Sequence, residues 1–296
     1  MSSRPSAFDS FIARAWADHA GRPDAVARRL RTRTPAPQTP AQLSALVRFV
    51  VHLLGEHLGR FDDARWRLDA LRSHMLADDG VQSDLRVGQA TLSLGQGKNG
   101  ATKTLTAAET VRAESGAATL CLGRGHLERA LAFVDSAADR IATLPDPQAH
   151  DNRALAVACN NMAWELHGLG ANRSAAQTQA MLRIAAASRE HWSRAGTWLH
   201  IERAEYCLAL THLSAGLFDD AWRHAGQCLA VCLHHRAPPL EHFYAHEAMA
   251  LVHHARREAA ELAHHAQSMR AAYERLKVND QGPCRETLDA VARLSP

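Results

Sequence analysis

The chain has 296 residues, 46% of them apolar but only 5% aromatic, and a formal charge of +3. Thirty-four basic side chains against 31 acidic ones set up no field strong enough to predict nucleic-acid binding, and no window approaches the roughly 18–20 apolar residues of a membrane span. The length suffices for a large core; Ala- and Leu-rich segments with few β-branched runs predict helix throughout. The six cysteines sit in apolar helical stretches with no short disulfide framework, so they are expected as reduced, small core residues. The first residues lack the apolar stretch of a signal peptide, which predicts a cytoplasmic location.

In chain order, a first helical hairpin is expected over 8–31, turning near Gly21 with Pro23 in the first turn of its second helix. Pro35, Pro37 and Pro40 make a stiff connector. A second hairpin covers 42–76. The stretch 77–104 is irregular, with one extra helix before the breaker cluster Gly95-Gln-Gly-Lys-Asn-Gly100. Hairpins follow over 105–144, 152–189, 192–235 and 241–276, with Pro145/Pro147 and Pro238/Pro239 at boundaries. A short helix over 283–294 caps the array, since the end of a stack leaves an apolar face to cover. One repeat domain spanning 1–296 is the expected organisation.

A Gly-x4-Ala pattern punctuates these hairpins: Gly59–Ala64, Gly125–Ala130, Gly170–Ala175 and Gly216–Ala221, with looser copies around Ala25 and Ala259/Ala260. Recurrence at this spacing is the signature of a helical repeat array. Gly lets the chain reverse, and small residues let two helices approach closely. The largest step between anchors contains the irregular stretch 77–104.

The pattern resembles the tetratricopeptide repeat family. That family's unit has a small residue in its first helix, Gly at the turn, an aromatic just after it, Ala opening the second helix and a small residue further along. Leu208, Ala209, Gly216, Phe218, Ala221 and Cys228 match this order well. Asn161, Met162, Ala163, Gly170, Ala175 and Leu182 match in the preceding hairpin. The second hairpin supplies Gly59, Phe61 and Ala64, but has His52 where a small residue belongs. Glu205 stands where the family carries Trp, and the repeats here are longer than the family's unit. The resemblance implies an all-α, right-handed α-solenoid of stacked antiparallel hairpins. It also implies a concave wall formed by Arg112 and Thr119, then Asn160, Asn161, Trp164 and His167, then Arg203, Tyr206 and Leu210, and last His242, His246, Met249 and His253.

On such a wall, Asn side chains grip an extended peptide backbone because they both donate and accept, and Trp164 and Tyr206 supply anchors. The plainer alternative has the Asn pair bridging helices and Trp164 in the core. Histidine is the compositional anomaly: of 19, 12 fall between His191 and His265. His242, His246 and His253 share one helical face, and a pair at i, i+4 chelates Zn, Ni or Cu. His246 and His253 are about 10 Å apart along a helix, so the three do not ligate one ion. His224, Cys228, Cys232 and His235 span about 16 Å on a continuous helix and fail the same test. Doublets such as His234-His235, His253-His254 and His264-His265 read as solvated surface or, if clustered in space, as a pH-sensitive group acting near pH 6 to 7.

No Gly-x-Ser-x-Gly elbow, phosphate loop or His-Glu-x-x-His motif occurs. The expected function is therefore a non-catalytic protein- or peptide-binding scaffold with no cofactor, no nucleic-acid partner and no membrane, in which a homodimer is allowed. The alternative is a histidine-based metal-binding or pH-sensing protein on the same fold.

Overall fold

Local signals start the helices. Ser6, Thr39, Asp78, Thr106 and Ser174 each accept a backbone N–H of the first turn that would otherwise lack a partner. Thr106 with Glu109 and Ser174 with Gln177 complete reciprocal capping boxes. Pro23, Pro40 and Pro239 open helices where a missing N–H loses nothing.

The computed structural model describes residues 5–98, 100–144 and 149–294, and among these the regular structure is helical, with no strand. Pro145, Pro147 and Asn99 lie outside the described residues. By contacts the chain divides into two compact units, 1–147 and 148–296.

The first unit contains α1 (Ala7–Asp18), α2 (Pro23–Thr32) and α3 (Pro40–Val50). The last of these runs directly into a π-helical turn, Val51–His57. Then come α4 (Phe61–Leu71), α5 (Asp79–Gly95), α6 (Ala107–Gly123) and α7 (Leu127–Thr143). Its core is built on Phe8, Leu43, Phe49, Leu53, Leu68 and Leu85, all under 3% exposed. The π turn is held from behind: a Cβ on Gly55 would come within 2.6 Å of a Leu92 methyl. The glycine-rich stretch after α5 sits at a helix C-terminus, where Arg129 donates to the Leu94 and Gly95 carbonyls. That end of a helix carries partial negative charge, which disfavours a phosphate.

The second unit contains α8 (Ala149–Gly168), a 3-10 turn (Gly170–Asn172), α9 (Ala175–Ala195), α10 (Trp198–Ser214) and α11 (Phe218–His235). It continues through α12 (Pro239–Arg256), α13 (Ala259–Glu274) and α14 (Val278–Ala292). Each helix packs on the next, and α10 also packs on both α8 and α12, as α12 does on α14. The first helices of successive hairpins therefore share a layer. Cys284, Leu288 and Val291 of α14 close the far end over Phe243 and Tyr273.

Gly59, Gly125, Gly170 and Gly216 adopt φ of +63°, +79°, +52° and +78°, the left-handed region that glycine enters without a Cβ clash. Ala64, Ala130 and Ala221 are fully buried. Ala175 is exposed, because the 3-10 turn after Gly170 delays the start of its helix. All six cysteines are free and buried. No helix among the described residues is long and apolar enough to cross a membrane.

Candidate functional site

The residues expected on a binding wall fall into three settings. Arg112 lies in the first unit, where its guanidinium donates to Asp84 at 2.9 Å and Ser83 at 2.6 Å across the α5–α6 contact. The others are in the second unit, and the α8–α10–α12 layer brings several of them together.

An aromatic row crosses that layer. Trp164 of α8 stands 5.9 Å from Tyr206 of α10, which stands 5.7 Å from Tyr244 of α12. These separations suit offset or edge-to-face contacts, and all three rings are half-buried. Asn160 and the exposed Asn161 lie one turn before Trp164, the Asn160 amide donating to the Asn161 oxygen at 3.5 Å. At the other end of Trp164, His167 packs edge-on to the indole, 5.4 Å between centroids, and sits 3.3 Å from the Ser214 hydroxyl. Arg173, from the turn after α8, donates to the Leu166, His167 and Ser214 carbonyls. It thereby ties together two helix ends whose last carbonyls lack helical partners. Burial and the nearby Arg173 charge hold the His167 imidazole below its usual range.

Two members of the expected set have partners within the fold. Arg203 makes a bidentate pair with Glu241 of α12, at 2.8 and 3.2 Å. Leu210 is buried among Ala209, Ala221, Met249 and Val252. The same layer holds groups that sequence reasoning passed over. Tyr206 donates its hydroxyl to Glu247 at 2.8 Å, and burial pushes the Glu247 carboxyl up to about 7. The signal for them was present: Leu240, Tyr244, Glu247 and Leu251 recur at helical spacing on α12. Beneath them, Glu202 is 1% exposed and accepts from the Cys228 and Cys232 thiols at 3.0 and 3.6 Å. Burial raises this carboxyl as well, with Glu241 adding to the effect.

His242 and His246 face α13 rather than the aromatic row. His246 Nδ1 is 3.0 Å from His265 Nδ1, and His253 lies flat on His265 with ring planes 6° apart. His253 turns its own Nδ1 to Glu258 at 2.5 Å. Burial lowers His246 and His265 to about 4, below the pH 6 to 7 window expected of a histidine switch. Its nitrogens also fail to converge. Among the described residues, three or more ligand atoms of His, Cys, Asp or Glu approach within 4.8 Å at one place, and it lies in the first unit. The stripe on α11 disperses too: His224 bonds Glu205, Cys228 and Cys232 bond Glu202, and His235 stacks on Trp198.

No family model, no curated protein and no solved structure matches the chain.

Proposed function

We propose that the chain is a non-catalytic, cytoplasmic scaffold whose hairpins are of the right-handed, tetratricopeptide-like kind, and that the α8–α10–α12 face holds an extended peptide segment of a partner protein. The observation that carries this reading is the row Trp164–Tyr206–Tyr244, which spans three helices and is flanked by the amides of Asn160 and Asn161. Half-buried aromatic rings give an apolar anchor at small entropic cost, and adjacent carboxamides meet the donors and acceptors of a peptide backbone. Arg203 supports the face by neutralising Glu241, which is 6% exposed, and does not itself grip the peptide.

Panning a random-peptide display library on the full chain tests this. Enriched peptides should lose about 10-fold or more in affinity on Trp164→Ala, the size of a hot-spot truncation, and less on Asn161→Ala. Both variants should remain folded. Failure to enrich any peptide, or equal affinity for Trp164→Ala and the native chain, would defeat the assignment.

A pH-sensing role has one specific support on this face, and it is a carboxyl. Burial raises the Glu247 carboxyl to about 7 beside Tyr206, so losing its proton near neutrality would put a negative charge beside the anchor rings. Peptide affinity that varies between pH 6 and 8 in the native chain, but not in Glu247→Gln, is the expected result.

A further inference from the structure

Three histidines of the first unit meet at a point that the partner-binding face does not use. His19 ends α1, and His52 and His57 sit five residues apart on the π turn that continues α3. On an α-helix, residues five apart diverge by about 140°. The wider i→i+5 turn returns them to one side, and Leu58 N–H donates to the Leu53 carbonyl at 3.1 Å in that pattern. His52 Nε2 and His57 Nε2 are 3.1 Å apart. The ligand atoms of all three histidines lie within 4.8 Å of one another.

The hydrogen bonds behind the rings settle which nitrogens face inward. A carbonyl only accepts, so His19 donates its Nδ1–H to the Trp16 carbonyl at 2.5 Å. The Glu56 carboxylate takes the Nδ1–H of His52 at 3.1 Å. Both rings therefore carry their proton on Nδ1 and offer Nε2 as a lone pair. A carboxylate or carbonyl behind a ligating imidazole is the usual outer support of a metal site, because it fixes the tautomer and raises ligand basicity. The rings meet at steep angles, His57 at 76° to His52 and 82° to His19. Trp16 covers one side, 4.8 Å from His52 and 5.2 Å from His19, over the fully buried Phe49. His57 is exposed and leaves the other side to solvent.

We propose that His19, His52 and His57 bind a divalent transition-metal ion through three imidazole nitrogens, with Zn²⁺ the natural occupant and one coordination position open to water. Two Zn–N bonds of 2.0–2.1 Å at a tetrahedral angle place their nitrogens about 3.3 Å apart, close to the separation of His52 and His57. An all-imidazole set suits Zn²⁺, Ni²⁺ and Cu²⁺ and is poor for Ca²⁺ or Mg²⁺, which take oxygen ligands. Three protein ligands with a free position characterise an exchangeable or reactive ion rather than a closed structural one. Because the ligands come from α1 and from the extension of α3, the ion also cross-links the first hairpin to the second. None of the three residues lies on the α8–α10–α12 face, so the site stands or falls independently of the peptide-binding reading.

Calorimetric titration of Zn²⁺ into the chelator-treated full chain should give one site per chain. His52→Gln and His57→Gln should each weaken it by at least about 100-fold, the upper end of what losing an outer-shell partner does. Glu56→Gln should weaken it by about 10- to 100-fold, and His246→Gln with His265→Gln should leave it unchanged. Trp16→Phe keeps every ligand and guards against variants that fail to fold. It should bind Zn²⁺ as the native chain does, yet lose the fluorescence quenching that Cu²⁺ produces at the site. Absence of heat at submillimolar Zn²⁺, native affinity in the His52 and His57 variants, loss only in the His246/His265 variant, or unchanged Cu²⁺ quenching in Trp16→Phe would each overturn the proposal.

Discussion

Both units bring histidines together, and the rings are arranged differently in the two places. In the first unit, His57 meets His52 and His19 edge-on, and two of the three inward nitrogens are 3.1 Å apart. In the second, His253 lies parallel on His265, and His246 tilts 35° against it. An imidazole offers lone pairs along its edge and a π face across its plane, so ring tilt decides what a cluster can hold. Tilt follows from the backbone. A π turn aims His52 and His57 at a shared point with solvent on one side. The regular helix of α12 stacks its rings into the seam with α13, where removal from water disfavours their charge. Histidine content is therefore a poor guide to histidine chemistry: the second unit is richer in histidine, and the first has the convergent set.

The contrast is most exposed in acid. Folding holds His246 and His265 neutral to about pH 4, while the unfolded chain protonates them near 6.5. The unfolded state then binds more protons across that window, so stability falls as pH drops from about 6.5 to 4. A loss of about 3 kcal/mol for the pair is expected once solvent near the half-buried His246 is allowed for. Urea unfolding at successive pH values reads it. The same slope in His246→Gln/His265→Gln would break the contrast.

Metal should act on the other cluster. Zn²⁺ at about 100 times its dissociation constant adds about 2.7 kcal/mol to a state that alone binds it. Thermal scans should show that gain in the native chain and not in His52→Gln; equal gains would count against the convergent cluster.

Carboxyls separate the units in the same way. Glu56 is a hydrogen-bond acceptor behind a ring, whereas Glu247 is a half-buried acid raised to about 7. Folded chains then hold more protons between about 4.5 and 7, so stability contributed by protonated Glu247 is lost as pH rises through that window. Glu247→Gln should recover about 2 kcal/mol at pH 8 and nothing at pH 4. Unfolding curves that show no such crossover would contradict the assignment.

Gly55→Ala tests whether the π turn aims the ligands. Its Cβ would crowd Leu92 and Leu120, costing about 1–2 kcal/mol and weakening Zn²⁺ binding without altering a ligand. Smallest of all, Glu56→Gln should change metal-free stability by less than about 1 kcal/mol, while its effect on Zn²⁺ affinity remains readable by calorimetry.

The turns were legible in the sequence because glycine is nearly obligatory where φ is positive, and all four glycines of the recurring pattern have that conformation. Less legible were the reversals after α11 and α12, where Arg236 and Arg257 take left-handed φ of 48° and 60° without glycine. Ala175 departs from its counterparts because a 3-10 turn intervenes, which no spacing rule anticipates. On the candidate face, Trp164 and Tyr206 could be placed by periodicity, but Arg203 could not be seen as already paired, since Glu241 is far along the chain. The first-unit histidines are hidden in the sequence because at 3.6 residues per turn His52 and His57 diverge. Their trace was the departure at His52, a large polar residue at a position the resemblance reserves for a small one.

The most direct test of the contrast is a long-range ¹H–¹⁵N spectrum of the histidine side chains, recorded without metal and with one equivalent of Zn²⁺. The Nε2 signals of His19, His52 and His57 should move to metal-bound positions together, while His246 and His265 stay where they were. Zn²⁺-induced shifts at His246 and His265, with the three first-unit histidines unmoved, would contradict it.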